Sequence, residues 1–227
     1  GLGALGLSSR TEHLQKALAG GAGSKAEAAD AADAIVDGAH ACQAAALLAL
    51  LKRKGETADE IAGFVLAMRR RMRAVRPPPD VRAIDIVGTG GDGHHTVNIS
   101  TAASIVAAAC GAVVAKHGNR SVSSLCGSAD VLDEVGVVLE LSQAAVERCL
   151  AEAGIAFMFA PAFHPAMKHV SPVRKALGVR TLFNILGPLI NPASCTRGVI
   201  GVFSEALVAV VADALHALGG EHVLVLH

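Results

Sequence analysis

The chain has 227 residues, of which 52% are apolar and 3% aromatic, and its 20 basic residues match its 20 acidic ones. A chain without net charge lacks the long-range positive field of a nucleic-acid-binding protein. The longest apolar run, residues 105–115, is shorter than the roughly 20 residues that span a bilayer. Five cysteines without a C-x-x-C spacing indicate a reduced compartment rather than a disulfide framework.

The first 76 residues predict four short helices. Three segments fit the capping box, in which a hydroxyl and a carboxylate three residues later bind the free amides of a helix start. They begin at Ser9, Ser24 and Thr57. The third segment opens a helix that carries Ile61, Phe64, Val65 and Met68 on one face. Gly20, Gly38 and Gly55 are natural helix stops.

An arginine run and a proline run mark the end of this region. Arg69, Arg70, Arg71 and Arg73 fit a solvated last helical turn better than a patch for an anionic ligand, because such a turn favours positive charge. Residues 77–79 are prolines, which end a helix. We therefore expect a helical domain over residues 1–78 and a second domain over residues 79–227.

Strand and helix patterns alternate in the second domain, which predicts a parallel sheet covered by helices. The predicted strands are residues 83–87, 112–115, 137–141, 156–159, 199–203 and 223–226. The predicted helices are residues 99–110, 130–135, 142–153 and 205–218. Residues 165–190 are charged and rich in proline and show no strand pattern. We expect this segment to pack back on the N-terminal helices.

The glycine-rich segment DIVGTGGDGHHTVNIS, residues 85–100, has the composition of a phosphate-binding loop. Gly88, Gly90 and Gly93 match the dinucleotide fingerprint G-x-G-x-x-G, but no acidic residue stands about 20 positions further on. The Gly-Lys-Ser/Thr ending of a P-loop is also absent from it. A plain turn and a phosphate loop therefore both remain open.

The residues that follow favour the phosphate loop. Thr96, Asn98, Ser100 and Thr101 precede an apolar helix, and hydroxyls at a helix N-terminus add donors and a favourable dipole for an anion. Asp92 would repel a bare phosphate, so a ribose hydroxyl or a hydrated Mg²⁺ is its better partner. His94 and His95 are adjacent, so their side chains diverge, and we interpret them as loop surface rather than a metal pair.

Five motifs, taken together and in this order, resemble the anthranilate phosphoribosyltransferase family. They are GTGGD at 88–92, NIST at 98–101, KHGNRSVSS at 116–124, CGSADVL at 126–132 and RTLFNILGPLINP at 180–192. The resemblance implies transfer of phosphoribose from 5-phosphoribosyl diphosphate (PRPP) to the amine of anthranilate, with Mg²⁺, in tryptophan biosynthesis. It also implies an α/β fold: a small N-terminal helical domain, which forms a homodimer, and a larger domain with a mostly parallel central sheet.

The resemblance assigns roles residue by residue. For PRPP it implies Gly88, Gly91, Asp92, Thr96, Asn98, Ile99, Ser100, Thr101, Lys116, His117, Gly118, Asn119, Arg120, Ser121, Val122, Ser123, Ser124 and Ser128. For anthranilate it implies Gly88, Asn119, His164 and Arg174, and for Mg²⁺ it implies Ser100. No residue is nominated as a general base, because catalysis is expected to depend on positioning and electrostatics.

The chemistry of these side chains is compatible with the roles. A guanidinium such as Arg174 binds a carboxylate through two parallel hydrogen bonds, although the spacing alone favours a surface charge. Lys116 follows an apolar strand, where a phosphate ligand suits it better than the core. The hydroxyls of Ser121, Ser123 and Ser124 fit either a plain turn or an anion-binding nest.

The resemblance also implies a second metal motif, Asp-Gly-Leu-Asp-Glu, beyond His227, so the sequence is expected to be a fragment. Three other functions remain open: a pyrimidine nucleoside phosphorylase-like enzyme, a PRPP-dependent transferase with another acceptor, and a non-catalytic binding module. The expected partners are the two small substrates and a second copy of the chain, with no nucleic acid and no membrane. The expected location is the cytoplasm, or the plastid stroma in a photosynthetic eukaryote.

Overall fold

The computed structural model describes residues 8–91, 93, 97–121 and 126–227. The chain divides into two compact units. The helical unit comprises Gly1–Arg71 and Pro165–Leu186, and the α/β unit comprises Met72–His164 and Gly187–His227. No helix in the described part of the chain is long and apolar enough to cross a membrane.

The elements follow one another along the chain as helices first and then as alternating strands and helices. The helices are α1 (Ser8–Leu18), α2 (Lys25–Val36), α3 (Ala41–Lys54), α4 (Ala58–Arg71), α5 (Ile99–Ala109), α6 (Ser128–Glu134), α7 (Gln143–Glu152), α8 (Ala160–Phe163), α9 (Met167–Leu177), α10 (Phe183–Leu186) and α11 (Leu207–Ala217). A 3₁₀ turn covers Gly187–Leu189. The strands are β1 (Ile84–Gly88), β2 (Val114–Gly118), β3 (Ile155–Phe159), β4 (Arg197–Gly201) and β5 (His222–Leu226).

Two of the three predicted capping boxes are confirmed. Before α2, the Glu27 amide donates to Ser24 Oγ at 3.3 Å, and the Ser24 amide donates to the Glu27 carboxylate at 2.8 Å. Before α4, Thr57 and Glu60 exchange the same pair of bonds, at 3.0 and 3.3 Å. The side chain of Ser9 lies outside the described residues, so the capping box there stays a prediction, although α1 begins at Ser8.

The core of the helical unit contains the predicted apolar face of α4. Ile61, Phe64, Val65 and Met68 are all buried, which confirms the periodicity of this helix. α2 packs directly against α4, and α9 contacts α2 and α3 within the same unit. The Phe64 ring also meets the Phe183 ring of α10 edge-to-face, with ring centroids 5.8 Å apart.

The arginine run at the end of α4 forms intramolecular ion pairs. Arg71 binds Asp33 and Asp37 of the α2 region, and Arg70 also binds Asp33. Both arginines lie in the last turn of α4, as predicted, and Arg70 is half exposed, but the ion pairs with acidic side chains were not predicted. Their acidic partners lie on a neighbouring helix, which periodicity along one helix does not reveal.

The α/β unit is built on a five-stranded sheet in the order β3-β2-β1-β4-β5, and each neighbouring pair of strands in it is parallel. The chain runs outward from β1 through β2 to β3 and then crosses to place β4 on the other side of β1. Such a change of direction leaves a crevice at the carboxyl ends of the strands, where α/β proteins bind ligands. The predicted parallel sheet is confirmed.

The predicted strand at residues 137–141 is wrong. This segment is irregular: Leu139 is buried against Phe157 and Phe159, while Val138 is 66% exposed. The β-branched apolar run thus contains one side chain that inserts into the core beside β3. It does not reflect pairing with another strand.

Candidate active site

The loop after β1 begins at the carboxyl edge of the sheet. The Thr89 amide donates to Gly201 O at 2.9 Å, and the Phe203 amide donates to Thr89 Oγ1 at 3.0 Å, so β4 fixes the start of the loop. Gly90 and Gly91 follow with φ of 65° and 74°, a conformation that favours glycine. Of the predicted site residues in this loop, Asp92 and Thr96 lie outside the described residues.

The start of α5 joins this loop to the one that follows β2. Asn98 Nδ2 donates to Cys126 O at 3.1 Å. Thr101 Oγ1 donates to Ser128 Oγ at 2.9 Å, and Ser128 is the first residue of α6. Ile99 opens α5 with its side chain 62% exposed. The structure therefore brings Asn98, Thr101 and Ser128 together at the carboxyl edge of the sheet.

Lys116 supplies a buried cation at this edge. Its side chain is only 2% exposed, and Nζ donates to Ile86 O at 2.7 Å and to Ser100 Oγ at 3.2 Å. Burial lowers the pKa of Lys116 to about 8, against a smaller raising effect of Asp85. The ammonium is therefore mostly charged at neutral pH and lies beside the N-terminus of α5. Both features favour an anion at this place.

The turn after β2 is held by α6. The Asp130 carboxylate accepts hydrogen bonds from the amides of Ser121 at 2.9 Å and Gly127 at 2.8 Å. The Arg120 guanidinium pairs with Asp130 at 3.0 Å and with Asp133 at 2.7 Å. Any anion at Arg120 would compete with these two carboxylates. The predicted residues Val122, Ser123 and Ser124 lie outside the described residues.

Close packing explains two glycines of this turn. A Cβ on Gly127 would lie 2.3 Å from the Ser121 amide nitrogen. A Cβ on Gly118 would lie 2.7 Å from the Phe157 ring. Asn119 stands between them, and its backbone oxygen accepts from the Ala129 amide at 3.2 Å while its Oδ1 accepts from the Arg120 amide at 2.8 Å. The Gly118–Ser121 backbone is thus fixed against the start of α6.

Two buried histidines lie together in the α/β unit. The rings of His117 and His164 meet edge-to-face with centroids 5.0 Å apart. His117 Nδ1 is 3.0 Å from Gly187 O, which assigns the ring proton to Nδ1. Burial lowers the pKa of His117 to about 3, with a further lowering by His164, and burial lowers the pKa of His164 to about 4. Both rings are neutral at pH 7.

These shifts predict a loss of stability in mild acid. The folded pKa values lie below the ordinary 6.5, so the stabilisation is complete above pH 6.5 and is lost as the pH falls towards 4 and 3. Between about pH 7 and 5.5 each histidine should remove about 1 kcal/mol from the unfolding free energy. The measurement is urea unfolding at each pH, for the chain and for its His117→Asn/His164→Asn variant.

The double variant should lose about 2 kcal/mol of this pH dependence. Asp85 opposes the histidines, because burial raises its pKa to about 6 and its contribution grows as the pH falls. Asp85 is present in both proteins, so the difference between them isolates the histidines. Equal pH dependence of the two proteins would show that the rings titrate normally in the folded chain.

Arg174, predicted as an anthranilate contact, belongs to α9 of the helical unit. Its guanidinium lies 5.9 Å from the centre of the Phe183 ring in that unit. Burial lowers the pKa of Arg174 from its ordinary value. The sequence spacing favoured an exposed charge at this position and did not predict this burial. The guanidinium stacks on an aromatic face, an arrangement typical of arginines that present a fixed fork of donors.

Sequence reasoning missed two polar residues beneath the loops. Asp85 is 5% exposed and Asn191 is 2% exposed, and Asn191 Nδ2 donates to Asp85 Oδ2 at 2.6 Å. A charged residue within the apolar strand Ile84–Gly88 was the available signal for Asp85. Asn191 stands 106 positions away, and its sequence neighbourhood gives no sign of this partner.

Comparison with known proteins identifies relatives of this chain. Residues 11–72 match the model described as "Glycosyl transferase family, helical bundle domain", and residues 80–227 match "Glycosyl transferase family, a/b domain". An anthranilate phosphoribosyltransferase of Salinibacter ruber is 57% identical over 183 residues, 81% of this chain and 53% of the relative. One of Mesorhizobium japonicum is 51% identical over 222 residues, 97% of this chain and 66% of the relative.

Solved structures agree with these relatives. The anthranilate phosphoribosyltransferase of Thermus thermophilus superposes with a TM-score of 0.87 at 47% identity, over 92% of this chain and 63% of that one. The Saccharomyces cerevisiae enzyme in complex with PRPP and Mg superposes with a TM-score of 0.85 at 31% identity, over 95% and 65%. This chain thus spans 53–66% of the length of these relatives. The predicted fold and the family resemblance are both confirmed.

Proposed function

Because this chain belongs to the anthranilate phosphoribosyltransferase family, we propose that it carries the PRPP-binding part of an enzyme that phosphoribosylates anthranilate. The proposed reaction transfers phosphoribose from PRPP to the anthranilate amine. It yields N-(5-phosphoribosyl)anthranilate and pyrophosphate, in tryptophan biosynthesis. The observation that carries the proposal is the buried Lys116 ammonium, which donates to Ser100 at the start of α5, at the carboxyl edge of the sheet.

The same edge offers a binding surface for the diphosphate. Lys116 contributes a charge in a site of low dielectric, where a charge-assisted hydrogen bond is stronger than in water. The first turn of α5 contributes amides and the hydroxyls of Ser100 and Thr101. Gly90 and Gly91 bring the backbone close without side chains. The remaining predicted PRPP contacts are part of this proposal.

The proposed chemistry depends on positioning and electrostatics. Displacement at the anomeric carbon builds positive charge on the ribose and negative charge on the departing pyrophosphate. Lys116 and the α5 amides would stabilise the pyrophosphate before and after the bond breaks. The anthranilate amine is neutral and attacks without prior deprotonation. The proton that the new C–N nitrogen loses afterwards passes to the departing pyrophosphate or to water, so no protein general base is needed. His117 and His164 are neutral as well, which keeps positive charge away from the developing cation.

Magnesium fits this site as part of the PRPP complex. The described residues contain no group of three or more His, Cys, Asp or Glu side chains that could hold a metal by themselves. Mg²⁺ usually keeps several waters and binds through one or two protein oxygens plus phosphates. Ser100 Oγ would supply such an oxygen, and Mg²⁺ would neutralise charge on the pyrophosphate. Lys116, 3.2 Å from that oxygen, disfavours a bare cation but tolerates an anionic metal–diphosphate complex.

The acceptor and the assembly complete the proposal. Anthranilate is assigned to Gly88, Asn119, His164 and Arg174. The domains proposed at 1–78 and 79–227 are supported by the family models, which match 11–72 and 80–227. A homodimer through the helical domain and a cytoplasmic or plastid location rest on the family resemblance.

The test is loss of anthranilate fluorescence on adding PRPP and Mg²⁺. The chain contains no Trp and no Tyr, so its own fluorescence interferes little. We expect PRPP-dependent loss of signal from a version of the chain extended to the length of its relatives. An extended chain that leaves anthranilate unchanged but cleaves pyrimidine nucleosides with inorganic phosphate would contradict the proposed acceptor. Turnover of another amine with PRPP would contradict it as well.

A further inference from the structure

The backbone ladder between β1 and β2 stops short of the carboxyl edge of the sheet, which leaves a gap in their pairing. Their ladder contains only the pair Ile84↔Val114. On its other side β1 pairs with β4 over the whole strand, from Ile84↔Arg197 to Gly88↔Gly201. β2 likewise pairs with β3 from Val114↔Ile155 to Gly118↔Phe159. The gap is therefore confined to the space between β1 and β2, directly below the two loops of the candidate site.

Side chains replace the missing backbone partners in this gap. Ala115 O accepts a hydrogen bond from Asn191 Nδ2 at 2.8 Å, and the His117 amide donates to Asp85 Oδ1 at 3.3 Å. Ile86 O accepts from Lys116 Nζ at 2.7 Å. In a continuous parallel ladder such groups bond to the neighbouring strand. Here one carboxylate, one amide and one ammonium take that place.

The side chains that fill the gap in pairing come from both faces of the sheet. Ile84 and Val114 are paired, and side chains alternate along a strand, so Asp85 and His117 project from one face and Lys116 from the other. Asn191 lies on the same face as Asp85, and its Oδ1 accepts a hydrogen bond from the Ala193 amide at 2.7 Å. α5 lies on the Lys116 face through Ser100. The gap is thus braced from both faces.

This arrangement is costly for stability alone. Asp85 is a buried carboxylate, and burial raises its pKa to about 6, against lowering by the Asn191 hydrogen bond and by Lys116. A pair of apolar side chains with a closed ladder would avoid the desolvation of both charges. A network of buried polar groups with defined partners instead specifies one geometry. That geometry places side chains between the carboxyl ends of β1 and β2.

We propose that Asp85 and Asn191 are positioning residues that hold β1 and β2 apart for ligand binding. They act through the backbone of Ala115 and His117, on either side of Lys116. They thereby set the spacing between the loop after β1 and the turn after β2. The choice of Mg·PRPP as the ligand rests on the proposed function, whereas the bonds between Asp85, Asn191 and the two strands do not.

The test is an exchange of the two side chains. In Asp85→Asn, whichever way the new amide turns, one of its N–H groups faces a donor, either the His117 amide or Asn191 Nδ2. The double variant Asp85→Asn/Asn191→Asp restores a donor and an acceptor between the two side chains. It does not restore the bond to Ala115 O. Val146→Ala is the control, because Val146 is fully buried in the core of the same unit between α7 and β3.

Two readouts separate positioning from stability. Calorimetric titration with Mg·PRPP should show affinity about tenfold weaker in Asp85→Asn and partly recovered in the double variant. Amide hydrogen exchange without ligand should be faster at His117 and at residues 118–121 in Asp85→Asn, while the β1–β4 ladder is unchanged. Val146→Ala should lower the unfolding free energy but leave both readouts as in the parent chain.

Three other results would overturn the inference or the proposed function. If Asp85→Asn retains the parent affinity and the parent exchange rates, the inference is overturned. If Val146→Ala weakens Mg·PRPP binding as much as Asp85→Asn does, the effect is general destabilisation and the inference is also overturned. If the parent chain does not bind Mg·PRPP, the proposed function fails. In that case faster amide exchange at His117 in Asp85→Asn still supports the role of Asp85 between the strands. Unchanged exchange at His117 would overturn that role as well.

Discussion

Replacing Lys116 by methionine is expected to weaken Mg·PRPP binding by up to about 100-fold while leaving the chain folded. A hydrogen bond to a charged group contributes about 1.5–3 kcal/mol, and about 1.4 kcal/mol corresponds to a factor of ten in affinity. Lys116 is the only lysine of the α/β unit in the sequence, and its Nζ lies beside Ser100 at the start of α5. No other lysine in that unit can replace its charge. The measurement is calorimetric titration with Mg·PRPP.

The fold should tolerate this change because methionine keeps most of the length of the buried stem. Removing the ammonium also removes a buried charge that burial destabilises. The opposing losses are the hydrogen bond from Nζ to Ile86 O and the partner charge of Asp85, whose pKa should rise further without Lys116. Arg148→Met is the matched control, because the Arg148 side chain is 73% exposed on α7 of the same unit. Equal affinities of Lys116→Met and the parent chain would remove Lys116 from the proposed site.

Replacing Gly63 by alanine is expected to destabilise the helical unit by about 2 kcal/mol. A Cβ at Gly63 of α4 would lie 2.4 Å from Lys25 O and 2.7 Å from Ala28 Cβ, so α2 would have to move. Overpacking of this kind costs about 1–3 kcal/mol and sometimes more. The intrinsic propensity acts in the opposite direction, because alanine in a helix is favoured over glycine by about 1 kcal/mol.

The sign of the effect is therefore diagnostic. Ala46→Gly at an exposed position of α3 is the control, and it should cost only about 1 kcal/mol from lost propensity. Urea unfolding of the two variants compares a tight backbone contact with an ordinary helical position. A Gly63→Ala chain as stable as the parent, or more stable, would show that α2 and α4 do not approach as closely as described.

Local signals in the sequence predicted much of the fold. The capping boxes at Ser24 and Thr57 depend on residues three positions apart, and both formed as expected. All five strands, and the helices α5, α6, α7 and α11, were predicted within a few residues, because apolar runs and bounding glycines are local as well. The helices α8, α9 and α10 were not predicted. The sequence also predicted that polar loops would follow β1 and β2. Parallel pairing then places those loops at one edge.

Contacts between distant residues could not be predicted in this way. Arg71 meets Asp33 and Asp37, which stand 38 and 34 positions away, only because α2 and α4 pack together. Asp85 meets Asn191 only because the chain after α10 returns to the sheet. Residues 137–141 form an apolar, β-branched run typical of a strand, yet the segment is irregular and only its leucine at 139 is buried. In each case tertiary packing decided the outcome, and packing has no short-range signal.

The most direct test of the proposed PRPP site is calorimetric titration of this chain with Mg·PRPP, beside Lys116→Met and Arg148→Met. We expect saturable binding to the chain and to Arg148→Met, with affinity for Lys116→Met lower by up to about 100-fold. Binding should also weaken as pyrophosphate is added as a competitor. No saturable binding to the chain, or equal affinities of all three proteins, would contradict a PRPP site at the carboxyl edge of the sheet.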